Sequence, residues 1–79
     1  MGQSWIEDSD YKKIAKRLIE LRKSAGYSSY ENFAVEFGFG RKYYWMVESG
    51  KAKISLDYLI RILRCHSVKP SDFFKSIDL

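Results

Sequence analysis

Apolar residues recur along this chain at steps of three and four, and short polar or glycine positions break the runs. Tyr11, Ile14, Leu18 and Leu21 form one stripe, which predicts an amphipathic helix from about Asp10 to Ala25. Ala15 and Ala25 widen the stripe, Asp8, Ser9 or Asp10 can cap it, and Gly26 closes it. Lys12, Lys13, Lys16 and Arg17 fall mostly off the stripe and read as a solvated face. A second run sets Phe33, Ala34 and Phe37 on one face and ends at Gly38, where a left-handed cap residue is wanted. Ser29 can start it, and so can Ser28 through a capping box with Glu31. A third run begins at Arg41, puts Tyr44 and Val47 on one stripe, and stops at Gly50.

Beyond the basic loop after Gly50, Ser55 caps a fourth helix with Leu56, Leu59, Ile60 and Leu63 inward and Arg61 and Arg64 outward. Pro70 suits the first position of a short fifth helix, whose Phe73, Phe74 and Ile77 can close a core. Nothing alternates as a strand would. The expected fold is all-α, a bundle of about five short helices forming one domain over residues 9–79, preceded by a flexible arm at 1–8. Trp5 and Ile6 in that arm are expected to pack on the domain's own surface or on a second subunit.

Residues 29–50 are the informative stretch: a helix, a three-residue turn with glycines, and a second helix. That is the helix-turn-helix layout, in which the second helix can be presented to a DNA major groove. Arg41 and Lys42 open that second helix, which sharpens the nucleic-acid reading.

Composition narrows the picture without deciding it. A chain of 79 residues has room for one domain, and 46% apolar with 16% aromatic residues is enough for a core. The net charge of +4 favours an anionic partner. Cys65 is the single cysteine, so no internal disulfide can form. No apolar run approaches the roughly 20 residues of a membrane span, and no signal-peptide pattern opens the chain, so a soluble cytoplasmic protein is expected. Cys65 and His66 lack partners at a spacing useful for a metal or a thiol nucleophile. Asp57 and Asp72 stand near helix starts, where the dipole favours carboxylates, and do not form a catalytic pair. Gly38 and Gly40 follow a helix rather than a strand, which excludes a dinucleotide loop. Neither enzyme activity, a metal nor a cofactor is expected.

From about Ile19 to Phe74 the chain resembles the Cro/CI-type (XRE-like) helix-turn-helix family of bacterial and phage repressors, with their lambda-repressor-like domain. The resemblance rests on LRKSAGYS, FAVEFG, RKYYWMVESGK, SLDYLIRIL and SVKPSDFF, in that order and at those gaps. The order G-Y-x-S-Y-E-N-F-A, followed by R-K-x-Y-W, looks most like a branch of small regulators from Bacteroidetes-type bacteria. Most of the family has one residue fewer before the Phe33 position. Aligning Phe33 and Ala34 puts the extra residue at Tyr27–Ser28, which makes Ser29 the cap and Tyr30 the first helical residue.

The resemblance implies a role for each matching position. The DNA readers would be Arg41 and Lys42, with Met46 one turn on and Tyr43 and Trp45 on the flanks. Arg41 is the strongest base reader, because a guanidinium donates two bonds to guanine O6 and N7. Ser29, Tyr30, Ser49, Lys51 and Lys53 would hold the DNA backbone, and Arg22 with Glu48 would form a partly buried structural ion pair. Lys42, Tyr43, Trp45 and Met46 stand where the family has small or amide side chains. Gly40 replaces a Ser or Thr cap, a change of only a few tenths of a kcal/mol. The implied function is a sequence-specific DNA-binding regulator, a repressor that inserts the 41–49 helix in the major groove. It would act as a homodimer on a near-palindromic operator with half-sites about 34 Å apart. The alternative is a protein-interaction module, such as the antitoxin of a toxin–antitoxin pair.

Overall fold

Short polar side chains set two of the helix starts. In a computed structural model, which describes residues 5–79, the helices are α1 (Asp8–Ser24), α2 (Tyr30–Phe37), α3 (Arg41–Glu48), α4 (Leu56–Cys65) and α5 (Pro70–Ser76). Ser29 Oγ accepts from Asn32 N at 3.1 Å and Ser55 Oγ from Tyr58 N at 3.1 Å, each satisfying an N–H that the helix leaves unpaired. Pro70 is the first residue of α5.

α1 starts earlier than its apolar stripe implies. Glu7 and Asp10 form a reciprocal capping box, with Glu7 N donating to Asp10 Oδ2 at 3.0 Å. Glu7 and Asp8 therefore belong to the helix start rather than to the arm. Residues 1–4 of that arm lie outside the described residues.

Phe33 is the centre of the core. It is fully buried, and its ring meets Tyr27 at 5.4 Å, Phe37 at 4.7 Å, Phe39 at 6.0 Å and Tyr44 at 5.3 Å between centroids. Leu18 from α1, Ile62 and Leu63 from α4 and Phe73 from α5 complete the interior. Aromatic edges and faces that meet at these separations add to the burial of their area.

The buried face of α4 is turned from the expected one. Leu59, Ile62 and Leu63 are inside, Ile60 is half-buried and Leu56 is exposed. Leu56 shares the stripe of Leu59 but lies in the first turn, beyond the edge of the core. Ala25 also proves exposed, and Phe74 stands partly outside while Phe73 takes the interior. Phe39 and Ala52, in the connections on either side of α3, are buried although neither belongs to a periodic run.

An apolar groove remains on the surface, lined by Trp5, Tyr11, Ile54, Leu56, Phe74 and Leu79 among others. Trp5 is 98% exposed at its rim, so it does not pack on the domain's own surface. Among the described residues no helix is long and apolar enough to cross a membrane.

Candidate nucleic-acid interface

The turn between α2 and α3 is built by one glycine and one phenylalanine. Gly38 takes φ 76° and ψ 25°, a left-handed state that an L side chain enters only with strain. The chain then doubles back, Phe39 N donates to Ala34 O at 2.8 Å, and the Phe39 ring drops into the core. α3 leaves this turn packed against both α2 and α1. Its inner face is Tyr44, Val47 and Glu48.

At 100° per residue, Lys42 and Ser49 fall opposite that inner face, with Trp45 on one flank and Tyr43 on the other. Arg41 and Lys42 are exposed in the first turn, which carries no acidic residue and no side-chain cap from Gly40. Met46 is half-buried against the core, so its side chain is drawn partly away from the outer face. Trp45 is 40% exposed and turned to the flank, where the Lys51 ammonium sits 4.9 Å from its ring centroid. That cation–π contact places Lys51 beside the C-terminal half of α3. Ser49 Oγ donates to Met46 O at 2.9 Å, and Lys53 is exposed in the following loop. Ser29 and Tyr30 stand at the start of α2, with the Ser29 hydroxyl capping the helix and the Tyr30 ring packed on the core.

Tyr43 on the other flank meets Tyr58 of α4 edge to face at 4.9 Å. Arg61, which periodicity turns to solvent, is exposed and also lies over Phe39 at 4.9 Å and Tyr58 at 5.8 Å. Burial, then Tyr43, pushes the Tyr58 phenol up in pKa, and Arg61 opposes them. Sequence reasoning missed Arg61 as part of this surface. No local signal pairs an α4 arginine with a turn phenylalanine; only the packing of α4 on the turn does.

Arg22 and Glu48 lock α1 to α3 behind this surface. Arg22 Nε donates to Glu48 Oε2 at 2.7 Å with the side chains only 7% and 6% exposed, and Arg22 Nη1 donates to Tyr27 O at 2.7 Å. The Tyr44 hydroxyl is buried beside the same carboxylate without a hydrogen bond of good geometry, and burial first, then Glu48, pushes its pKa far up. Burial also raises the Cys65 thiol, so it is not an activated nucleophile.

His66 stacks on Phe33 with 4.8 Å between centroids, and its Nε2 is buried without a partner. Burial lowers its pKa below the ordinary 6.5, against the pull of Glu48. Well above 6.5 both folded and unfolded chains hold a neutral imidazole. As pH falls through that value, the unfolded chain takes up the proton first, and stability drops until the lower folded pKa is reached. Urea midpoints at about pH 8 and about pH 5 should therefore fall further for the wild type than for His66→Gln. Equal losses would exclude His66 as a source of acid sensitivity.

The fold and this surface define a helix-turn-helix protein of the DNA-binding regulator class. The chain is 32% identical over 66 residues to control protein C.MunI of a Mycoplasma species, a match spanning 84% of this chain and 89% of that protein. It is similar to the crystal structure of the restriction-modification controller protein C.AhdI from Aeromonas hydrophila, with TM-score 0.73 and 32% identity over 84% of this chain and 98% of that one. No family model matches the chain. The chain belongs to this family of controller proteins, helix-turn-helix transcriptional regulators that bind DNA.

Proposed function

We propose that this protein represses transcription as a cytoplasmic homodimer, placing one α3 in each of two major-groove segments about 34 Å apart on a near-palindromic operator. The observation that carries this reading is the exposed start of α3: Arg41 and Lys42 stand in an acid-free first turn, with Lys51 held against Trp45 at the other end. Arg41 and Lys42 read bases, and Tyr43 and Trp45 shape the fit at the groove walls. Ser29, Tyr30, Ser49, Lys51 and Lys53 hold phosphates, with the α2 N-terminus offering its N–H groups. Met46 contributes at most its exposed edge.

The second copy pairs through the apolar groove around Leu56, Phe74 and Leu79, with Trp5 as an anchor. By extension from the relatives, the regulated genes are those of a restriction–modification system. The protein acts by binding alone and performs no catalysis. Its likeness to a Bacteroidetes-type branch rests on residue order only.

Selecting binding sites from random duplex DNA, then titrating affinity for the selected site against salt, tests the reading. Affinity should fall log-linearly with salt as counterions are released, with a slope of about −0.9 per phosphate held. Failure to enrich any sequence, or a flat salt response, would leave the protein-interaction alternative in its place.

A further inference from the structure

Apart from the buried Arg22, the basic residues of α1 divide into two sets that the sequence does not distinguish. Lys13 and Arg17 are committed to the C-terminal segment: Lys13 Nζ donates to Asp78 O at 2.6 Å, and Arg17 Nε donates to Ser76 Oγ at 3.0 Å. Arg17 also pairs with Glu20 at 3.1 Å. Lys12, Lys16 and Lys23 take no part in the ion pairs among the described residues. They lie at i, i+4 and i+11, on one side of the helix.

That side is not an isolated solvated face. Lys12, Lys16 and Lys23 line one groove with Ile19, Glu20, Glu48 and Ser49, so the stripe runs beside the C-terminal end of α3. The carboxylates near it are already engaged, Glu48 by Arg22 and Glu20 by Arg17. Gly50, at φ +77°, lies directly against Lys12: a Cβ there would be 3.0 Å from Lys12 Cγ and 3.4 Å from Lys12 Cα. This close approach pins the loop on α1, so Lys51 emerges next to Lys12. Lys12 and Lys16 thereby stand on the part of the first helix that meets the loop carrying Lys51.

We propose that Lys12, Lys16 and Lys23 form a further phosphate-holding stripe, which extends the DNA backbone contact beyond the α3–α4 loop. The inference rests on the docking proposed above. DNA is the partner because the stripe adjoins the edge of the helix that faces the groove, where a duplex backbone leaving α3 passes. Three uncommitted ammonium groups suit a row of phosphates, which need point charges rather than directional pairing.

The test compares K12Q/K16Q/K23Q with the charge-matched control R64Q/K69Q/K75Q, whose positions lie on α4, at the start of α5 and within it. Glutamine keeps the methylene stem of Lys12 against Gly50, and thermal melts verify the folds. Affinity for a labelled duplex carrying the selected site is measured across a salt series. The α1 variant should flatten the log–log slope by about 2.7 for each protomer bound, while the control leaves it unchanged. The preference for the selected over a scrambled duplex should survive in both. An unchanged slope in the α1 variant overturns the proposal and leaves the stripe to an acidic protein surface. An equal flattening in the control also overturns it, since net charge alone would then suffice. A wild-type protein without log-linear salt dependence would instead refute the docking itself.

Discussion

Replacing Glu48 with alanine is expected to remove a large share of this protein's margin of stability. Arg22 is buried, and among the described residues its guanidinium donates to Glu48 and to the carbonyl of Tyr27. Removing the carboxylate strands a positive charge where water cannot compensate it, a loss of about 3–5 kcal/mol. A domain of this size has a total stability of about 5–15 kcal/mol, so the variant stands near the threshold of folding. At about 4–8 °C per kcal/mol, its Tm should drop by at least roughly 12 °C. Removing both partners, as Arg22→Leu with Glu48→Leu, should recover much of that loss because no charge is left unpaired. A Glu48→Ala melt within about 4 °C of wild type would show that the pair is not what holds α1 to α3.

The second large effect is on binding. Arg41→Ala together with Lys42→Ala removes both cations from the exposed first turn of α3. A bidentate contact to guanine discriminates by about 1–3 kcal/mol, and a dimer presents each contact twice, so the loss is about 2–6 kcal/mol. That corresponds to between about 30-fold and about 10⁴-fold weaker binding of the selected duplex. The drop should be larger for the selected duplex than for a scrambled one, because base contacts carry the sequence information. Arg41→Lys should keep much of the non-specific affinity and lose discrimination, since an ammonium cannot present the guanidinium fork. Unchanged affinity of the double alanine variant would remove α3 from the interface. Both experiments probe one arrangement, because the buried pair aims the helix that the exposed pair arms.

The fold was legible where local chemistry decides local structure. Ser29 and Ser55 cap because a short hydroxyl reaches an unpaired N–H two or three residues on, and Gly38 ends α2 because it tolerates a positive φ. These are contacts within one turn, so residue order encodes them. The start of α1 depended on a Glu7–Asp10 exchange, in which a glutamate takes the role that serine and aspartate positions nearby could also claim. Several residues compete for such a boundary, and pattern alone does not rank them.

Periodicity identified the apolar stripes but not which end of each stripe reaches the interior. Leu56 and Leu59 share a stripe on α4, yet the core ends between them. Where it ends depends on how far α1 and α5 extend alongside, which is a matter of packing. Phe39 and Ala52 lie outside every periodic run and are buried only because the connections around α3 fold inward. Trp45 illustrates the same limit at the candidate interface. Its place on the flank follows from helical geometry, but its partner, the Lys51 ammonium, arrives through the turn at Gly50.

By itself, the sequence determined that this chain forms short helices with a glycine turn between the second and third, and that Arg41 and Lys42 open the third. Those features depend on backbone preference, capping and a 3.6-residue period, all of which act over a few neighbouring residues. Tertiary structure alone decided that Arg61 covers the turn phenylalanine and that Lys13 and Arg17 serve the C-terminus, while Lys12, Lys16 and Lys23 enter no ion pair among the described residues. The physical reason is that a charged side chain on an exposed helix has many equivalent surroundings until another element is packed against it. Chain-distant contacts choose among those surroundings, and no local pattern records the choice.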